Sequence, residues 1–239
     1  MTKKVYINVG HSDKDPGAVG YERERDLNVK VAEFQRDYLL ANYDCEVRMN
    51  PGTMYKLMDP VNDANSWGAD LFDSKHFNAG GGDGWEGLVY SSKNVPMGKI
   101  FEKHVLAAGQ NSRGVKLRPN LAVLRLTNMP AVLNEGAFVD NLKDIQDWNE
   151  DHELKKLGIA YAEACAEWLK LEKKATEPTP VPAPESALKP TPKPSKVMYR
   201  VFDADGKQVG AYTIEENAFN AVKKHLMAGG SSKITLSEK

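Results

Sequence analysis

The sequence predicts an α/β fold: a mostly parallel six-stranded sheet with helices on both faces, followed by a small α+β C-terminal domain. Three observations predict it. Short apolar runs alternate with stretches whose apolar residues recur at helical spacing, the pattern of strand–helix–strand crossovers. Pro178, Pro180, Pro182, Pro184, Pro190, Pro192 and Pro194 crowd one segment, where fixed φ and missing backbone donors oppose packing. A chain of 239 residues is also long enough for one substantial core and a lesser one.

The elements follow in order. Val5–Val9 reads as a buried strand, and Leu27, Val31, Phe34 and Tyr38 mark a helix. Cys45–Met49 is strand-like, and Asp59–Trp67 is a helix ended by Gly68. Leu71–Phe77 and Leu88–Ser91 read as strands, and Pro96–Ala108 as a helix stopped by Gly109. Leu121–Arg125 and Ala131–Asn134 make two more strands before a helix from Asp151 to Leu171. Residues 172–195 form the linker between a domain at 1–171 and one at 196–239. In the latter, Asp205-Gly206 is a hairpin signal, and Thr213-x-x-Glu216 caps a helix burying Ala218, Phe219, Val222 and Leu226.

The net charge of −1 offers no field for nucleic acid. No apolar run is long enough for membrane insertion, and Val5–Val9 is too short and polar for a secretory core. The chain is therefore expected in the cytoplasm unless released. Cys45 and Cys165 are expected as free thiols.

In parallel sheets, sites form in loops beyond the strand ends. His11 follows the first strand, His76 ends the third, Glu135 is expected directly after the last, and Glu24 precedes the first helix. Two imidazoles and a carboxylate are a common catalytic zinc set with a position left for water.

Four motifs in one order carry a resemblance. They are Gly10-His11 with Asp15-Pro16-Gly17-Ala18; Glu24-Arg25-Asp26-Leu27-Asn28; Ala69-Asp70-Leu71-Phe72 through His76-Phe77-Asn78-Ala79; and Pro130-Ala131-Val132-Leu133 through Glu135-Gly136-Ala137-Phe138. Over roughly residues 5–170 the chain resembles the zinc-dependent N-acetylmuramoyl-L-alanine amidases of the amidase 3 type. The resemblance implies His11, Glu24 and His76 as ligands of Zn2+, Glu135 as catalytic acid/base, and peptidoglycan as substrate. Glu24 is preferred over nearby Glu22 because the charged-Asp-x-Asn run follows it as in the family. Asp73 and Lys75 depart from the family's apolar residues; they share the strand face opposite His76 and are expected to pair or to lie beneath a polar layer. The second departure is the placing of small residues in Glu135-Gly136-Ala137-Phe138.

Other polar residues have plainer readings. His104, His152 and His225 read as surface or structural groups, and Asp13 and Asp15 as loop residues or partners of His11. Gly80-Gly81-Gly82-Asp83-Gly84 lacks the ending of a phosphate loop and reads as a flexible groove rim, with Trp67 and Trp85 as candidate sugar contacts.

The resulting expectation is a phage or prophage endolysin whose 196–239 domain binds a cell-wall ligand, with homo-oligomerisation through that domain as its competitor. A zinc exopeptidase on ordinary peptides and a non-catalytic wall-binding protein are the alternatives.

Overall fold

Continuous apolar runs flanked by turn residues become the central strands of one sheet. The computed structural model describes residues 2–50, 52–53 and 56–174, and the strands Met198–Asp203, Gln208–Tyr212 and Ser232–Ser237. Contacts divide the chain into two units, Met1–Glu177 and Pro178–Lys239.

In the first unit the elements are β1 (Lys3–Val9), α1 (Glu24–Asn42), β2 (Cys45–Met49), α2 (Asp59–Trp67), β3 (Leu71–Asn78) and β4 (Trp85–Val89). They continue with α3 (Val95–Ala108), β5 (Ser112–Leu117), α4 (Ala122–Arg125), β6 (Ala131–Phe138), α5 (Leu142–Gln146) and α6 (Asp151–Leu169). The sheet order is β2-β1-β3-β6-β4-β5. β4 runs antiparallel to β6 and parallel to β5, so these two strands oppose the other four. Gly68 and Gly109 end α2 and α3 at φ 70° and 104°, the left-handed cap that glycine adopts without strain.

Each face of the sheet is covered. On one, α1, α3 and α6 supply Leu27, Val31, Phe101, Leu157 and Tyr161 to a core that includes Val5, Ile7, Leu71 and Val132. On the other, Val61 and Ala64 of α2 and Val123 and Leu124 of α4 cover Tyr6, Phe72, Leu88 and Leu133. No described helix is long and apolar enough to cross a membrane. Cys45 and Cys165 are free.

Three details differ from expectation. Leu121–Arg125 forms the helical turn α4, held by Arg125 N–H donating to Leu121 O at 3.0 Å, because its apolar residues cap the sheet instead of joining it. The sixth strand is β5, whose polar sequence Ser112-Arg113-Gly114-Val115-Lys116-Leu117 suits an exposed edge. The fourth strand begins at Trp85, earlier than the apolar run from Leu88.

In the second unit β7 (Met198–Asp203) lies between β8 (Gln208–Tyr212) and β9 (Ser232–Ser237), antiparallel to both. The Asp205-Gly206 turn, the helix beginning at Thr213, His225 and the proline-rich segment lie outside the described residues.

Candidate active site

The turn after β1 brings His11 over the sheet end. Gly10 N–H donates to Lys75 O at 3.0 Å, Asn28 Nδ2 donates to Gly10 O at 3.1 Å, and His11 itself adopts φ 66°. Two glycines permit the crowding. A Cβ on Gly10 would lie 2.4 Å from His76 Cε1, and one on Gly17 would lie 2.4 Å from Glu24 Oε2. Gly17 also has φ 68°, which disfavours any side chain.

Glu24 opens α1 with 4% exposure and stands between the two imidazoles. Its Oε1 lies 2.8 Å from His76 Nδ1 and accepts from Phe77 N–H at 3.2 Å. Its Oε2 lies 3.1 Å from His11 Nε2 and accepts from Ala18 N–H at 2.8 Å. Asp15 Oδ2 meets the other nitrogen of His11, Nδ1, at 2.9 Å. Burial opposes charge on His11, but its bonds to Glu24 and Asp15 outweigh that and raise its pKa to about 9. Burial also opposes ionisation of Glu24, yet the two histidines hold its carboxyl far below the usual range.

One ligand-capable atom from each of His11, Glu24 and His76 lies within 4.8 Å of the others. Among the described residues no other such cluster of three occurs. The chemistry of the set suits zinc: two borderline imidazole nitrogens, one carboxylate oxygen, and Asp15 orienting one ring from behind. A cavity of about 170 Å³ opens beside the histidines, walled by Leu57, Pro60 and Val123. Glu22 is outside the cluster; its backbone carbonyl accepts from Gly20 N–H at 3.0 Å.

Glu135 lies inside β6, not after it as expected, because the strand continues through Phe138. It pairs in register with His76 of β3 and with Glu86 of β4. The next pairing is Asn78 with Phe138, so β6 spends one extra residue across Gly136-Ala137. That bulge accounts for the small residues: a Cβ on Gly136 would meet Leu157 at 3.0 Å and Phe77 at 3.1 Å. Among the described residues no donor reaches the buried Glu135 Oε2. Burial raises its pKa to about 7.

The polar residues singled out for plainer readings are placed as follows. Asp13 pairs with Arg25 at 2.6 Å, while Asp15 both meets His11 and accepts from Gly17 N–H at 3.1 Å. His104 Nε2 meets Glu167 at 2.8 Å, and exposed His152 pairs with Glu153. Asp73 and Lys75 form a buried ion pair on the face opposite His76. Gly80 and Gly81 N–H donate to Asp140 and Gly84 N–H donates to Asp144, so carboxylates anchor the loop expected to be a flexible rim. Trp85 is not a sugar contact: it is fully buried and its Nε1 donates to Asn134 at 3.1 Å. Trp67 packs by Lys4 and Arg48, near the start of β1 and away from His11.

The sequence reading missed Glu86 and the cations around it. Glu86 is 5% exposed, and Arg113 Nε at 2.5 Å and Lys116 Nζ both donate to its Oε1. Burial opposes its ionisation, but the two cations hold its pKa below the usual range. These residues lie far apart in sequence, and only the pairing of edge strand β5 with β4 joins them.

Residues 5–167 match the family described as N-acetylmuramoyl-L-alanine amidase. An endolysin of Bacillus phage SPP1 is 33% identical over 86% of this chain and 79% of its own length. The sporulation-specific N-acetylmuramoyl-L-alanine amidase of Bacillus subtilis strain 168 is 29% identical over 98% of this chain and 84% of its own. Among solved structures, the catalytic domain of the amidase CwlV from Bacillus (Paenibacillus) polymyxa var. colistinus aligns with TM-score 0.68 and 28% identity. That alignment covers 72% of this chain and 100% of the CwlV domain.

Proposed function

The chain belongs to the N-acetylmuramoyl-L-alanine amidase family and is a peptidoglycan amidase, and we propose how its residues perform the hydrolysis. The bond cut joins the lactyl group of N-acetylmuramic acid to the first L-alanine of the stem peptide. His11, Glu24 and His76 hold a zinc ion, and Glu135 is the acid/base. The observation carrying this reading is the convergence of two imidazoles and a carboxylate within 4.8 Å, one strand from a buried carboxyl oxygen without a donor.

Zinc bound there supplies a Lewis acid that polarises the scissile carbonyl and acidifies water. Asp15 orients the His11 ring through Nδ1 and leaves Nε2 to face the site. Glu135 takes a proton from the attacking water, then returns it to the departing alanine nitrogen. Burial, which raises this carboxyl's pKa in the metal-free site, favours its taking up that proton. The products are a free lactyl carboxylate and a free L-alanine amine. Mass analysis of digested peptidoglycan tests the reading: those two new ends support it, and cleavage confined to peptide bonds within the stem overturns it.

The organisation expected from sequence belongs to the same proposal: catalytic domain 1–171, linker 172–195, and a wall-binding domain at 196–239. A tether raises the enzyme's effective concentration at its substrate. Support comes from the match to the phage endolysin, which covers more of this chain than residues 5–167 comprise. The same likeness supports a lytic role, with the enzyme reaching the wall after release from the host cytoplasm. Deleting 172–239 is expected to abolish co-pelleting with purified walls; undiminished pelleting would remove the wall-binding assignment.

A further inference from the structure

We propose that Arg113 and Lys116 form a carboxylate-binding subsite that selects stem peptides bearing an acidic residue next to the alanine. This inference rests on the amidase reading above and extends it to the peptide side of the scissile bond.

The placement follows from sheet register. His76, Glu135 and Glu86 are consecutive partners across β3, β6 and β4. β5 is the next strand, and it brings Arg113 and Lys116 onto Glu86 Oε1. The β5 backbone therefore lies two strand spacings from Glu135, about 10 Å, and the cationic head groups reach back over β4 to Glu86. An extended peptide advances about 3.3 Å per residue, so a carboxylate one or two residues beyond the alanine spans that gap.

The charge balance leaves the cations available. One carboxylate faces two cations, so the triad carries one net positive charge at the sheet surface. Arg113 is 41% exposed and Lys116 31% exposed, whereas Glu86 beneath them is nearly buried. Arginine offers five donors and lysine three. Among the described residues, Glu86 accepts one from each, and no other acceptor engages either head group. The guanidinium also lies 5.1 Å from the Phe138 ring centroid, which limits its orientations. Glu86 thus acts as a buried clamp presenting two partly used cations.

The substrate has matching chemistry on one side only. Its muramic carboxyl is consumed in the amide to be cut, so any carboxylate adjoining the scissile bond belongs to the peptide.

The test compares two soluble substrates with the zinc-loaded full chain: N-acetylmuramoyl-L-alanyl-glutamate, and the same compound with both glutamate carboxyls amidated. Wild-type kcat/KM is expected to favour the acidic compound by roughly fivefold to tenfold, mainly through KM. R113M and K116M should each shrink that ratio, and R113K should retain most of it. Because either methionine variant leaves Glu86 short of a partner, folding is checked by circular dichroism. The wild-type ratio stands independently of those variants. Cleavage of both compounds at equal efficiency, or an undiminished ratio in folded R113M and K116M, overturns this inference alone. No cleavage of either muramoyl–alanine bond overturns the amidase reading and this inference with it.

Discussion

Replacing Lys75 with methionine is expected to cost the first unit about 3–4 kcal/mol, because it strands a buried carboxylate. Asp73 has no exposed surface and Lys75 is 1% exposed. Asp73 Oδ1 accepts from Asn134 at 2.8 Å, and its Oδ2 accepts from Gln35 at 2.7 Å and the Cys165 thiol at 3.4 Å. Lys75 Nζ sits 4.4 Å from the centroid of Tyr161. Burial pushes the lysine's pKa down, and Asp73 pulls against that shift. Asp73→Asn keeps the shape but leaves the amine unpaired, for a similar loss of about 3–4 kcal/mol. The double variant removes both charges and is expected to lose no more than either single, a coupling of about 3 kcal/mol. For a unit of this size each single change lowers Tm by roughly 10 °C. Urea unfolding in chelator, followed by tryptophan fluorescence, measures all four corners without a metal contribution. Additive losses, or single losses below about 1 kcal/mol, would refute the pairing argument.

Three further outcomes follow from the site. Glu135→Gln is expected to keep its zinc, measured by atomic absorption, while kcat falls roughly 10²- to 10⁴-fold. Glu24→Ala should lose zinc and Glu22→Ala should retain it; the reverse pattern would transfer the ligand role to Glu22. At pH 7 the metal-free His11, with its pKa near 9, carries a proton that a ligand must give up. Zinc binding should therefore release at least about one proton, and its affinity should rise with pH until about 9. Calorimetry in two buffers of different ionisation enthalpy reads this directly, and identical heats would contradict it.

The layered α/β architecture was legible because its signals were local. Val5, Ile7 and Val9 are buried as their apolar run implies, and Gly68 and Gly109 end helices where expected. What escaped depended on partners distant in sequence. Arg113 and Lys116 break the apolar pattern of a strand, yet β5 forms because β4 offers a parallel edge. Leu121–Arg125 has strand-like composition, but its burial comes from α4 capping Leu133 and Leu88. Trp85 looks like a surface aromatic beside a glycine run, while its indole N–H is satisfied by Asn134 inside the core.

The site was legible to a different degree at each residue. His11 and His76 stand in motifs beside glycine or a strand end, and their rings meet with centroids 5.1 Å apart. Choosing Glu24 over Glu22 needed the family pattern, and the helix start at Glu24 is what turns its carboxylate toward both rings. The burial of Glu135 and the clamp formed by Glu86 arise from strand register, which neighbouring residues in the chain do not encode.

The most direct test is anomalous diffraction at the zinc edge from crystals of the active, zinc-loaded protein. The account predicts one peak about 2.0–2.2 Å from a nitrogen of His11, a nitrogen of His76 and an oxygen of Glu24. Active crystals with zinc elsewhere, or with no peak between these three residues, would contradict it.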